Sequence, residues 1–496
     1  MFKNYNHLGF NNPYYFKKNG KFVLKFNMSS LLDEYNSVRE IDPVAIIEIM
    51  HKTYVLGDRT MIKGVSKTPW LAKPNKMNSD WVFSNIANHG QLNFSEEEIS
   101  HTLFEKLCSE LQLYIGKQTQ VGILLSGGMD SRMVAGALDY LIKKRKLSPG
   151  IMITALTWGN NDSRDVIYAK EIARRLDWKW KHYTVTAKDL LNNITESAIH
   201  GCEYSPIDLH AIPQIRDDNP NLEVILAGSY GDSIGRAEYG GWKLKYLKPI
   251  LNKITNFSGI INQDIFNNSL SSVREDVRVY HNRFPKKGYA QNEIDYQLHY
   301  MRRWLNPCMD LLNEKSKLHQ LFTHPDVYGY MWSLNIGKRS DSVYKYMNNY
   351  FSTKLDDIPW ARTGIPYGQK NGKPDNFKKN HHSYVEIIKT QILDDIVSLI
   401  DSPNLKNLEV FNLKAIKKLV FILRMFPSNN LFFYDKLILL ASISKMASLY
   451  EVKGLNKDKI KVSKSSFSIL NHFYYRARQA SAPILKKYIH KILIKK

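Results

Sequence analysis

The densest set of residues able to grip a phosphate chain is LLSGGMDSRMVAG at 124–136. An apolar run ends at Leu125, Gly127 and Gly128 follow, and a helical pattern begins near Asp130. That order aims backbone N–H groups and the positive end of a helix at one point, which suits a polyphosphate. Ser126 and Ser131 add hydroxyl donors, and Asp130 can hold a Mg²⁺ ion bridging phosphates. The loop lacks the Lys-Ser/Thr pair of a Walker A motif, so the chemistry differs from γ-phosphoryl transfer.

SGGMDS resembles the pyrophosphate loop of the ATP-pyrophosphatase (PP-loop) group, and its surroundings resemble the asparagine synthetase family. The resemblance implies ATP and Mg²⁺ as cofactors. It also implies an AMP-forming amide ligase in which a carboxylate attacks the α-phosphate, pyrophosphate leaves, and an amine or ammonia displaces AMP. Further matches follow in family order. TWGNNDSRDVIYAKEIARRL at 157–176 resembles the segment after the second strand, which puts Thr157 at the nucleotide and Asp165 on the next helix. LAGSYGDSIG at 226–235 resembles the turn LSGEGGDELFGG, so Gly228 falls at the nucleotide and Asp232 on the metal-binding Asp. Ser233 stands where the family has Glu, which removes one implied metal ligand.

CEYSPIDLHAIP at 202–213 resembles the stretch supplying acid/base and acceptor contacts. The family's Glu falls on Tyr204 without a gap and on Glu203 with one insertion, so both are candidates. The cation expected to neutralise charge on the pentavalent phosphorus falls in IPWARTGIPYGQKNGKP at 358–374, with Arg362 and Lys370 as candidates and the family spacing lost.

These side chains need a scaffold. From 120 onward short β-prone runs alternate with helical ones: QVGILLS, IMITALT, KHYTVT and EVILAG are separated by helix-length segments. Parallel crossovers in a doubly wound α/β sheet follow, with ligands at the strand C-termini. Ser95 and Glu98 spell a capping box for a helix to about Ile115. Asn19-Gly20 between apolar runs predicts a hairpin, hence a small antiparallel N-terminal part. Beyond about 245 the strands fade and helical periodicity prevails, with 431–450 read as a buried helix. The expected divisions are 1–94, a glutaminase-like region; 95–245, the PP-loop core; 246–450, mostly helical; and 451–496, a basic tail.

Residues 42–70 resemble the end of a glutaminase domain and its link to the synthetase, while the chain opens Met1-Phe2-Lys3 without the Cys nucleophile. The region therefore reads as truncated and inactive on glutamine, with nitrogen arriving as ammonia, from a separate glutaminase, or as a substrate amine. The three cysteines are far apart and form neither a disulfide framework nor a Cys-based zinc site. No secretory h-region or run of 18 apolar residues occurs, which fits a cytoplasmic enzyme.

Seventy Lys and Arg against 47 Asp and Glu give a net charge of +23, and residues 452–496 carry +11 of it. The amphipathic pattern at 481–496 suits an anionic membrane surface. Together with the missing glutaminase part, it favours a glycan carboxylate, a uronic acid amidated in bacterial surface-polysaccharide assembly, over free aspartate. An RNA-modifying PP-loop enzyme and a non-catalytic nucleotide-binding scaffold are the competing readings. Nucleic acid is the less favoured partner, because the positive charge gathers at one terminus.

Overall fold

A computed structural model describes residues 12–455, apart from 87, 236–246, 287 and 370–371. Lys370 and residues 456–496 of the basic tail lie outside the described residues.

The N-terminal hairpin joins β1 (Tyr14–Lys18) and β2 (Lys21–Lys25) in antiparallel register, and β3 (Ser66–Lys67) pairs with β1. Asn19 and Gly20 take φ of 50° and 76°, the left-handed pair that a two-residue hairpin loop requires. A second small sheet pairs β4 (Ala72–Pro74) with β5 (Trp81–Phe83). The Ser95–Glu98 capping box then opens the helix Glu96–Ile115.

The centre is a five-stranded, wholly parallel sheet of β6 (Gln120–Leu124), β7 (Met152–Trp158), β8 (Lys179–Tyr183), β9 (Val224–Ala227) and β10 (Lys317–Gln320). Its order is β10-β9-β6-β7-β8, so the winding reverses between β6 and β9. Side-chain alternation explains why both faces are covered. Val121, Ile123, Ile153, Ala155, Val224 and Leu226 enter one apolar core, whereas Leu124, Leu156, Ile225 and Ala227 enter the other. Helices Glu96–Ile115, Met129–Lys143 and Arg164–Arg175 fill the first face. Helices Ala187–Ile199 and Leu431–Leu449 fill the second, in a core shared with residues of the N-terminal region such as Ile41, Ile46 and Leu56. The second half is mostly helical, and none of its described helices is long and apolar enough to cross a membrane.

The fifth strand departs from the sequence reading, in which strands fade beyond about 245. β10 reads KLHQ and carries no apolar run, because its buried polar groups find tertiary partners. His319 Nε2 lies 2.8 Å from Glu110, and its ring stacks on Tyr114. Gln320 donates to Asn306 at 2.7 Å. Parallel pairing with β9 then holds the strand.

Candidate functional site

At the reversal point, beyond the C-terminal ends of β6 and β9, lies a cavity of about 350 Å³. Ligands of doubly wound sheets bind at this position. Leu125, Ser126, Gly128, Asp130 and Ser131 line one side, Gly228 and Asp232 another, and Trp158, Asp208, His210, Trp304, Cys308 and His381 complete the wall.

The loop after β6 is cross-braced. The Leu125 N–H donates to Leu156 O at 2.9 Å, and the Ser126 N–H donates to Ser131 Oγ at 3.2 Å. Gly128 is the N-cap of the helix Met129–Lys143, and no side chain caps that end. The backbone donors of the first turn therefore face the cavity without a built-in acceptor, as anion binding requires. Close packing dictates the glycines. A Cβ on Gly127 would stand 2.9 Å from Arg164 O and 3.0 Å from Ala361 Cβ, and one on Gly228 would stand 2.5 Å from Ser131 N. Gly127 thus lets the 361 segment approach, and it meets the cavity through its neighbours rather than by lining it.

Arg132, fully buried, bonds four carbonyls, those of Leu355, Ile358, Gly127 and Pro359. Ala361 N–H donates to Gly127 O at 3.1 Å. The segment 355–361 is thereby fastened to the phosphate loop. Arg362 follows immediately, exposed, with its guanidinium 4.9 Å from the Trp360 ring, and it does not line the cavity. Among the described residues no Lys or Arg does.

Thr157 also sits behind the wall. Its hydroxyl donates to Leu125 O at 2.8 Å and accepts from Trp180 Nε1 at 3.1 Å, so it ties β7 to the loop. Trp158 reaches the cavity in its place. Asp165 lines the cavity, accepts from the Gly127 N–H, and has its pKa raised by burial, with His381 3.7 Å away pulling it down.

The acid/base candidates are placed differently from the sequence reading. Glu203, fully buried, pairs with Arg303 at 3.1 Å and does not line this cavity. Tyr204, 1% exposed, faces a second cavity. The same segment instead delivers Asp208 and His210. The reason is local. Pro206–Leu209 forms a 3₁₀ turn capped by Ser205, and His210 then takes a φ of 49°. These turns point later residues inward and leave Glu203 and Tyr204 behind.

Asp208 accepts from Trp304 Nε1 at 2.5 Å. Burial and then the Asp435 carboxylate push its pKa up to about 8. His210 accepts at or donates from Nδ1 to Tyr384 Oη at 2.7 Å and stacks with Trp158 and His382. Burial and the neighbouring His381 bring it down to about 3, so the imidazole is neutral at pH 7. Cys308 lines the same wall, and burial holds its thiol well above the usual range.

Asp130 and Asp232 both line the cavity, and the Gly231 backbone packs against the Asp130 carboxylate. Among the described residues no group of three or more His, Cys, Asp or Glu is arranged to hold a metal. One or two carboxylates completed by substrate phosphates is the donor set that magnesium commonly takes, and this pair fits it.

Residues 114–245 match the asparagine synthase family. That match and the loop geometry give the sheet an ATP-using, ligase-type chemistry. No curated protein matches the chain. Among solved structures, the U34-tRNA thiolase NcsA from Methanococcus maripaludis with its [4Fe-4S] cluster is similar at 16% identity, covering 49% of this chain and 88% of its own, with a TM-score of 0.25. NMN synthetase from Francisella tularensis is similar at 14% identity, covering 41% and 93%, with a TM-score of 0.21. Asp208, His210, Trp158, Trp304, Cys308 and His381 are among the lining residues that sequence reasoning left out of the site. The first three lay inside segments already singled out, 202–213 and 157–176, and the others did not.

Proposed function

We propose that the chain is an AMP-forming amide ligase that activates a carboxylate with ATP. The carrying observation is the uncapped N-terminus of the helix Met129–Lys143 opening into the cavity at the sheet's reversal point. Its backbone donors, with Ser126 and Ser131, hold the β- and γ-phosphates as the leaving group. The acceptor carboxylate oxygen attacks the α-phosphorus, the bond to the bridging oxygen breaks, and pyrophosphate departs with the electron pair. Ammonia or an amine then attacks the acyl carbon, and AMP leaves.

Asp130 and Asp232 are the residues that would hold Mg²⁺, which when bound would supply positive charge to the phosphates. Asp208 takes the proton that the attacking nitrogen loses; a carboxylate with a pKa near 8 is suited to that exchange. Arg362, one residue beyond the bond between Ala361 and Gly127, is the candidate in this reading for neutralising charge on the phosphorus.

ATP–pyrophosphate exchange screened over carboxylates, uronic acids and sugar nucleotides bearing them included, tests the reading. Exchange that depends on one carboxylate supports it, and ATP binding without exchange on any carboxylate overturns it. An RNA-modifying enzyme is the second reading, favoured by the net charge of +23. RNA that co-purifies with the protein and is altered in the presence of ATP would promote it.

A further inference from the structure

Buried Ser205 caps the turn that delivers Asp208 to the nucleotide cavity. Its Oγ accepts from the Ile207 N–H at 3.4 Å, and its carbonyl accepts from the Asp208 N–H at 3.0 Å. The same hydroxyl donates to the carboxylate of Asp435, a bond that joins segments 230 residues apart. Asp435 belongs to the helix Leu431–Leu449, which packs against the turn, and it does not line the cavity.

Two carboxylates therefore serve one short turn from behind the cavity wall. Each has a neutral donor: Trp304 Nε1 for Asp208, the Ser205 hydroxyl for Asp435. Burial raises the pKa of both, and the Asp435 charge raises Asp208 further. Lys436, the next residue on the helix, is fully buried, donates to Ile49 O at 3.4 Å, and its charge pulls both carboxyls down. Tyr384 and Cys308 are the other titratable groups that feel the Asp208 charge, and His51, on the helix Pro43–Lys52, faces Lys436. Holding the cap needs only an acceptor, which an amide of the same shape would supply without repelling Asp208. A buried like charge is costly, so the carboxylate does more than support the cap.

We propose that Asp435 is a positioning residue for the amide-forming step: through Ser205 it fixes the turn that carries Asp208, and its charge keeps Asp208 ready to hold the proton that the attacking nitrogen releases. The proposal rests on the ligase reading of the first cavity, with Asp208 as the base.

The first arm of the test uses no substrate. Urea midpoints are measured from pH 4 to 9 on the full-length protein, on Asp208→Asn, on Asp435→Asn and on the double variant. Wild type against Asp208→Asn isolates the Asp208 titration with Asp435 present; Asp435→Asn against the double variant isolates it without. A like charge raises a carboxyl, so without Asp435 the decline in stability due to Asp208 should level off about one pH unit or more lower, and be smaller. In the second arm, Ser205→Ala is assayed with ammonium chloride and the carboxylate that supports ATP–pyrophosphate exchange. Amide formation should fall about tenfold or more relative to exchange, with a wild-type circular dichroism spectrum. A decline that levels off at the same pH in both backgrounds overturns the proposal, as does a folded Ser205→Ala whose ratio of amide formation to exchange stays within twofold of wild type. Wild-type protein without exchange on any carboxylate fails the ligase reading and this proposal with it, whereas exchange with an unmoved decline fails the proposal alone.

Discussion

Gly228→Ala is the sharpest test of how the phosphate loop is built. The added methyl would stand 2.5 Å from Ser131 N and 2.6 Å from Asp130 C, both backbone atoms of the first helical turn. Neither can swing aside as a side-chain tip could. Restoring an ordinary separation of about 3.4 Å requires the strand end and the helix N-terminus to part by about 0.9 Å. Overpacking of this kind costs about 1–3 kcal/mol of stability, and a 1 Å displacement of a positioning group costs about 100-fold in rate. The effect on catalysis should therefore exceed that on folding. ATP–pyrophosphate exchange should fall about 100-fold and ATP affinity should drop in calorimetry, while urea denaturation shows a protein still folded. Gly337→Ala is the control, since its methyl would meet only Asn335 Oδ1 at 3.5 Å. If Gly228→Ala exchanged within twofold of wild type, the cavity at the reversal point would not be where the phosphates sit.

Other perturbations probe the remaining parts. Asp130→Ala should abolish exchange, and EDTA should do so in the wild type, reversibly on adding Mg²⁺; activity surviving both would move the metal elsewhere. Arg132→Met removes four hydrogen bonds to carbonyls in the interior and should cost about 3 kcal/mol or more in urea denaturation, with new proteolysis within 352–363. Asp208 has a folded pKa near 8, above its unfolded value near 4, so the native state holds the extra proton between those limits and stability declines as pH rises through that window. Asp208→Asn should flatten that decline, measured as urea midpoints from pH 4 to 9, and should remove the limb of amide formation that rises toward pH 8. An unchanged pH profile would exclude Asp208 as the base. Tyr384→Phe deletes the bond to His210 and should cost about 1 kcal/mol, with a higher KM for ATP if the Trp158–His210–His382 stack borders the nucleotide.

The unequal legibility of this site in the sequence has a physical cause. Ser126, Gly128, Asp130 and Ser131 could be placed from spacing alone, because a strand end, a tight turn and a helix start form one contiguous geometry set by local residues. The alternation that puts Leu124 and Ile123 in opposite cores is equally local, and so is the Asn19-Gly20 turn. β10 was not legible, since KLHQ earns its strand from Glu110, Tyr114, Asn306 and the edge of β9, all distant in sequence.

The same distinction decides between Glu203 and Asp208. Which of them meets the cavity depends on a 3₁₀ turn at Pro206–Leu209, a left-handed His210, and the claim of Arg303 on Glu203 from 100 residues away. Motif alignment tracks residue type along the chain, whereas access to the reacting atoms is set by which carboxylate a distant cation has already neutralised. Glu203 is held by the Arg303 guanidinium away from the nucleotide cavity. Asp208, with an indole N–H as its hydrogen-bond donor and its pKa raised to about 8 by burial and then by the Asp435 carboxylate, is matched near neutral pH to the proton that the proposed amide-forming step releases. Its environment, more than its place in a motif, is what makes it the candidate for the proposed base.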